Sequence, residues 1–349
     1  MVLSYYFLKY PYKLSWNALN MINKRKETIF YAEDVLDLVI FKPVQQYLPT
    51  LPIVTKNSKI KREIEGLAEV QGVYPTFPKA LITCRHICHK FPEEKILKFG
   101  LRHGAYHFKR FTDAKNYNAF TRYFMTSQHE VDIAKKCGIN SAVAVGYPKL
   151  DPAFNGDITD SDLNTLHSIL GFTKEKKTIL FTATWDKSGM SAIDSWIGQL
   201  GSLAEKYNVL VTVHPWMSES YKNTLRNTPN IHFVEDLDVL PYLMLSDCVI
   251  GDTSSIIAEA SALDKPIVTY KIKEAKRSLP EINELIQSIS YQIDSKDALL
   301  EALEHALCHQ VELQDNRQKA NLLMFDKLDG KAGERAAKVI IECLAINDK

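Results

Sequence analysis

Three places along this chain hold residue types that could handle a phosphate-bearing substrate. The first is His103-Gly104, with Lys109 and Arg110 just downstream. The second is His214-Pro215. The third is the run Asp252-Thr253-Ser254-Ser255, with Glu259 one turn further on. A histidine titrates close to neutral pH, so either one could take or give a proton. Four N-cap residue types in a row are more than one helix start needs. A helix start also presents unpaired N–H groups and the positive end of its dipole, which suits a phosphate. The same residues fit plainer readings: a well-capped helix for 252–255 and a basic surface loop for 103–110. The elements that carry them decide between the two.

Cys248 to Ile250 is a short apolar run between Asp247 and Gly251, which reads as a buried parallel strand leading straight into the 252–255 turn and its helix. A βα rhythm runs through the whole chain. In the first half the strand candidates are Thr28 to Ala32, Leu51 to Thr55, Ala80 to Thr83, Ile96 to Gly100, Tyr123 to Thr126 and Ala142 to Gly146, with helical pattern at Lys59 to Leu67 and Gln128 to Cys137. The stretch Gly146-Tyr147-Pro148-Lys149-Leu150-Asp151-Pro152, followed by Asn155-Gly156-Asp157, punctuates the rhythm like a linker. After it, Lys177 to Thr182, Asn208 to Val213, Ile231 to Val234, Cys248 to Ile250 and Pro266 to Tyr270 alternate with helical segments. Strands alternating with helices predict parallel sheets covered on both faces. The boundary falls at about residue 152, dividing the chain into 1–152 and 153–349, and the closing helix Gly333 to Ile346 is placed to cross back to the first domain. In a parallel sheet, sites collect where strands end. Thr182, Thr184 and Trp185, then His214, then Asp252 to Ser255 all follow strands of the second half, and His103 follows one of the first.

A chain of 349 residues suits two domains, and its 46% hydrophobic and 24% charged content is ordinary for a globular protein. The net charge of +1 gives no reason to expect nucleic acid as a partner. No window of eighteen apolar residues predicts a membrane span, and lysines and prolines interrupt any secretory leader, so a cytoplasmic location is expected. Six scattered cysteines read as reduced core residues. Cys84-Arg85-His86-Ile87-Cys88-His89 has metal-ligand types but no second ligand pair at a recognised spacing, so no metal is expected there. Residues 1–26 crowd Val2, Leu3, Tyr5, Tyr6, Phe7, Leu8, Tyr10, Tyr12, Leu14 and Trp16 together, and their charges are Lys9, Lys13, Lys24, Arg25 and Lys26, with no acid. That composition predicts a segment lying on an anionic membrane surface; a first helix packed on its own domain is the alternative.

Five strand-exit motifs, in order over roughly residues 75 to 275, resemble the CDP-glycerol glycerophosphotransferase family of teichoic-acid primases and polymerases. His103-Gly104-Ala105-Tyr106-His107-Phe108-Lys109 keeps the His-Gly of the family's His-Gly-Thr-Pro-x-Lys, while its Thr-Pro is replaced. Ala183-Thr184-Trp185, His214-Pro215, Gly251-Asp252-Thr253-Ser254-Ser255 with Lys265-Pro266, and Gly146 to Asp151 resemble the others.

The resemblance implies a GT-B architecture, two Rossmann-like α/β domains facing each other across a cleft. It implies transfer of glycerol phosphate, or a related polyol phosphate, from a CDP-linked donor to a hydroxyl of a lipid-linked or polymeric glycan, with release of CMP and with no obligatory cofactor. His103 is then the expected base. His214, Thr253, Ser254 and Ser255 are expected to meet the donor phosphates, together with Lys109 or Arg110. Asp252 and Glu259 are expected to accept from ribose hydroxyls or to orient cations, Thr184 to line the nucleotide site, and Gly104 to let substrate approach the backbone. No Asp-x-Asp lies at the strand exits that carry these motifs, so a metal-dependent donor site is not expected. A GT-B glycosyltransferase using a UDP- or GDP-sugar, or a nucleotide-sugar 2-epimerase, is the alternative enzyme, although Asp252-Thr253-Ser254-Ser255 lacks the paired glycines of the epimerases. A non-catalytic binding protein on the same frame is the third reading, against which His103 and His214 both argue.

Overall fold

A computed structural model describes residues 3–22, 27–106, 110–272 and 279–347. The chain packs as two compact units. Of the described residues, the first comprises those up to 103, 111–151 and those from 329 onward; the second comprises those within 104–110 and 152–328.

Among the described residues of the first unit, seven parallel strands form one sheet in the order β3-β2-β1-β4-β5-β6-β7. They are β1 (Thr28–Ala32), β2 (Ile53–Thr55), β3 (Gly72–Val73), β4 (Ala80–Thr83), β5 (Leu97–Gly100), β6 (Arg122–Met125) and β7 (Ala142–Ala144). The central strands are buried along nearly their whole length because helices cover both faces. On one face, Phe30 of β1 stacks on Phe41 of the helix Leu36–Gln45, with ring centroids 4.0 Å apart.

The terminal helix Ala332–Asn347 joins that same core through Ala336, Ala337 and Ile340. The second domain therefore does not run to residue 349, as the division at 152 had it: the chain returns to the first unit at about 329. Two features fix the return. Asp151 accepts the N–H groups of Ala332 at 3.0 Å and of Gly333 at 2.7 Å, so its carboxylate caps the helix start. Gly333 lies so close to the helix Leu36–Gln45 that a Cβ on it would stand 2.0 Å from the Pro43 carbonyl oxygen.

The N-terminal helix Leu3–Ile22 is tied down on one side only. Tyr12 and Trp16 are buried among Ile29, Tyr31, Val54, Leu81 and Phe91, and they donate to the carbonyls of Thr76 at 2.7 Å and Pro78 at 2.8 Å. The opposite side carries Phe7, Tyr10, Leu14 and Met21, all more than 70% exposed. No described helix is long and apolar enough to cross a membrane.

The second unit has six parallel strands among its described residues, in the order β10-β9-β8-β11-β12-β13. They are β8 (Thr178–Ala183), β9 (Asn208–Val213), β10 (Ile231–Phe233), β11 (Cys248–Gly251), β12 (Ile267–Tyr270) and β13 (Tyr291–Ile293). The order reverses between β8 and β11, the place where doubly wound sheets open a crevice at their carboxyl edge. Ile179, Phe181, Val209, Val211, Cys248 and Ile250 fill one face against Trp196, Leu200 and Leu303.

Candidate functional site

In the second unit, β9, β8 and β11 are neighbours, so the three motifs that follow them lie side by side along one edge of the sheet. His214 follows β9, Thr184 and Trp185 follow β8, and Asp252 to Ser255 follow β11. Asp252 holds this edge together. Its carboxylate is 1% exposed and accepts the N–H groups of Thr184 at 2.9 Å, Ala192 at 3.1 Å and its own neighbour Ser254 at 2.9 Å. A carboxylate committed to three backbone donors has little capacity left for a ligand. The reading of Asp252 as an acceptor for ribose hydroxyls is therefore replaced by a positioning role: it fixes the turn that presents the next three residues. Thr184 shares that role through its buried backbone N–H. Glu259 is also buried, on the inner side of the helix Ile256–Ala262.

The hydroxyls that follow differ from one another. Thr253 is 7% exposed, and its Oγ1 has no hydrogen-bond partner among the described residues. Ser254 and Ser255 are half-buried. The Ser254 Oγ accepts weakly from Ile256 N–H at 3.4 Å. Ser255 stands at the helix N-cap but does not cap with its side chain. A buried donor without a hydrogen-bond partner is costly. Residues 104–106 group with this unit, and Gly104 borders the same turn: a Cβ on it would lie 3.4 Å from Ser255 Oγ.

His214 is oriented by its own loop. Its backbone N–H donates to the Ala183 carbonyl at 3.0 Å, and its Nδ1 accepts the Trp216 N–H at 3.1 Å. An Nδ1 that accepts leaves the proton of the neutral ring on Nε2, which can then donate to an anionic oxygen. Trp216 was not anticipated from the sequence, although it stands two residues after His214. It is 68% exposed, 5.4 Å from the His214 ring and edge-on to Trp185 at 5.7 Å. Together these rings form an aromatic shelf beside the hydroxyl-bearing turn.

In the first unit, His103 follows β5 at the carboxyl edge and is exposed. The protein packed around it and the positive charges of Arg85 and Arg102 push its pKa down, to about 4. Water reaches the ring and screens part of both charges, but each acts in the same downward direction. The two arginines are held by buried acids: Arg85 Nε lies 2.8 Å from Asp37 Oδ1, and Arg102 Nη1 lies 2.7 Å from Glu130 Oε1. Sequence reasoning passed over both, because the acids that anchor them lie far away in the chain. His86, next to Arg85, stacks on Tyr123 at 5.2 Å, and burial with the Arg102 charge lowers its pKa as well. Cys84 and Cys88 remain free thiols. Arg110 is exposed, and Lys109 lies outside the described residues.

Two sheets of parallel strands, each wound like a dinucleotide-binding fold, with phosphate-compatible groups along the carboxyl edge of the second, define a Rossmann-like α/β architecture in two units. The fold likeness extends over nearly the whole chain: a structure of the wall teichoic acid polymerase TagF soaked with CDPG superposes with a TM-score of 0.71 at 15% identity, covering 98% of this chain and 99% of that one. An MnaA–UDP co-structure from S. aureus gives 0.62 at 13% identity, covering 92% and 97%. Residues 96–342 match the CDP-Glycerol:Poly(glycerophosphate) glycerophosphotransferase family, and the chain belongs to that family. Among curated relatives, the teichoic acid ribitol-phosphate polymerase TarK of Staphylococcus aureus is 25% identical over 65% of this chain and 46% of its own length. A teichoic acid glycerol-phosphate primase of Bacillus spizizenii is 28% identical over 45% of this chain and 41% of its own. The chain thus matches less than half the length of either relative.

Proposed function

We propose that this protein transfers glycerol phosphate, or a related polyol phosphate such as the ribitol phosphate named for its relatives, from a CDP-linked donor to a hydroxyl of a glycan or lipid-linked acceptor. The observation that carries this reading is the turn after β11. There Asp252 fixes the turn that presents the hydroxyls of Thr253, Ser254 and Ser255, and His214, oriented by the Trp216 N–H on its Nδ1, follows the strand next but one on the same edge of the sheet. In the reaction, the acceptor oxygen attacks the phosphorus that bears the polyol, its proton passes to His103, and the bond from that phosphorus to the CMP oxygen breaks. Charge growing on the CMP phosphate is met by the His214 N–H and the serine hydroxyls. The Trp185–Trp216 shelf offers a face on which a base or a sugar ring can stack.

The exposed row Phe7, Tyr10, Leu14 and Met21 supports a peripheral position on a membrane surface, where a lipid-linked acceptor would be found. Tyr12 and Trp16 at the same time fasten the helix to its own unit, so the two readings of this segment coexist.

The deciding experiment incubates the full chain with CDP-, UDP- and GDP-linked donors and a hydroxyl acceptor and identifies the nucleotide released. CMP supports the proposal. Release of UDP or GDP would move the protein to the sugar-transferring branch of the fold, and no turnover with any donor would leave a binding protein.

A further inference from the structure

We infer that the second unit carries a surface site for a divalent transition-metal ion, built from His305, His309 and Glu312. His305 lies near the end of the helix Leu299–Cys308, His309 is its C-cap, and Glu312 lies in the turn that follows. One donor atom from each of the three side chains lies within 4.8 Å of the others. Histidines four apart at a helix end share a face, the spacing with which helices hold zinc. Two imidazoles and a carboxylate form a ligand set of intermediate softness, suited to zinc and its neighbours rather than to calcium or magnesium.

The surroundings order the set beyond a chance cluster. The His305 and His309 rings stack at 4.2 Å. His309 Nδ1 lies 3.0 Å from the His305 carbonyl oxygen, which can only accept, so Nδ1 carries the proton and Nε2 keeps a bare lone pair. A ligating histidine is ordinarily held this way through its other nitrogen. Glu312 Oε2 is held by the Tyr291 hydroxyl at 3.0 Å and by His305 Nε2 at 2.9 Å. Zinc would take the place of that last hydrogen bond, with the His305 proton moving to Nδ1. Bonds of about 2.0–2.2 Å set tetrahedral ligands about 3.3 Å apart, so donor atoms within 4.8 Å of one another need close in by at most about 1.5 Å. All three are exposed and free to do so, and a fourth position stays open to water.

The place in the fold separates this site from the one described above. Tyr291 begins the edge strand β13, so the cluster lies at the amino edge of the second sheet, whereas the 252–255 turn lies at the carboxyl edge. A bound ion would pin the end of the helix Leu299–Cys308 to the turn that carries Glu312, whose carboxylate already accepts the Tyr291 hydroxyl at the start of β13.

The test titrates zinc into chelator-stripped, tag-free full-length protein and follows cobalt substitution by visible absorption. One saturable zinc per chain is expected. His305→Ala, His309→Ala and Glu312→Gln should each weaken binding by at least about tenfold, while Cys308→Ser should leave it within about twofold. Circular dichroism verifies that each variant stays folded. No saturable binding by the wild type, equal binding by a His305→Ala/His309→Ala double variant, or loss of binding in Cys308→Ser would each overturn the inference.

Discussion

The Asp252 carboxylate accepts the backbone N–H of Thr184 at 2.9 Å, across a sequence separation of 68 residues. This bond joins the exits of β8 and β11 and makes Asp252 a strut of the site. Asparagine has one oxygen where the carboxylate has two, so it cannot serve Ser254 through one and Thr184 and Ala192 through the other. Asp252→Asn should therefore lower stability by about 2–4 kcal/mol, the scale for buried donors left unpaired. Chemical denaturation measures this. An unchanged midpoint combined with lost donor binding would instead make Asp252 a direct ligand.

The serines should separate in their effects. Ser254 already accepts a backbone N–H, whereas the Ser255 hydroxyl does not cap its helix. Replacing both by Ala should weaken CDP-donor binding by about 1–3 kcal/mol, with Ser255→Ala accounting for the larger part. Calorimetric titration of the single and double variants decides it. Unchanged affinity in a folded double variant would remove the nucleotide from this turn.

How far the sequence showed this protein depends on where each constraint lies. Thr28–Ala32, Ala80–Thr83 and Asn208–Val213 form strands over the ranges their apolar runs predict, because helices bury both faces and the run itself is the signal. The helix Gln314–Phe325 gives no such signal. Its Arg317 is 1% exposed, turned inward to pair with Asp264 at 2.7 Å, and an inward arginine breaks the apolar period by which a helix is read. The candidate site was legible as a set of strand exits, since parallel sheets gather them on one edge. What each residue does there was not legible. Asp252 has the residue type of a ligand and the surroundings of a strut, and its partners Thr184 and Ala192 lie 60 or more residues away.

The N-terminal helix offers a test that leaves the enzyme core intact. Phe7 and Leu14 are 77% and 72% exposed, on the side away from the buried Tyr12 and Trp16. Full-length protein should bind anionic vesicles more than neutral ones, and less at high salt. Phe7→Ser/Leu14→Ser should lose most of that binding with the thermal midpoint unchanged. Equal binding to both vesicle types, or binding unaffected by the double substitution, would leave the helix a packing element alone.

His103 gives the sharpest prediction, because its environment sets a direction for pH. A depressed pKa keeps the imidazole neutral, and so able to act as a base, well below the ordinary histidine range. The acid limb of kcat/KM should therefore lie below pH 6.5, toward 4. Removing one of the responsible charges together with its buried partner, as Arg85→Gln/Asp37→Asn, should move that limb upward. The linkage has a definite sign. The unfolded chain takes up a proton on this histidine near 6.5 and the folded one near 4, so this group costs stability as pH falls through that window and nothing above it. His103→Ala should reduce turnover by about 100-fold to 10,000-fold while donor affinity stays nearly constant. His214→Ala should reduce both, since its Nε2–H is assigned to the donor phosphates. Near-full turnover in His103→Ala, or a larger loss of donor binding there than in His214→Ala, would reverse or remove the two assignments.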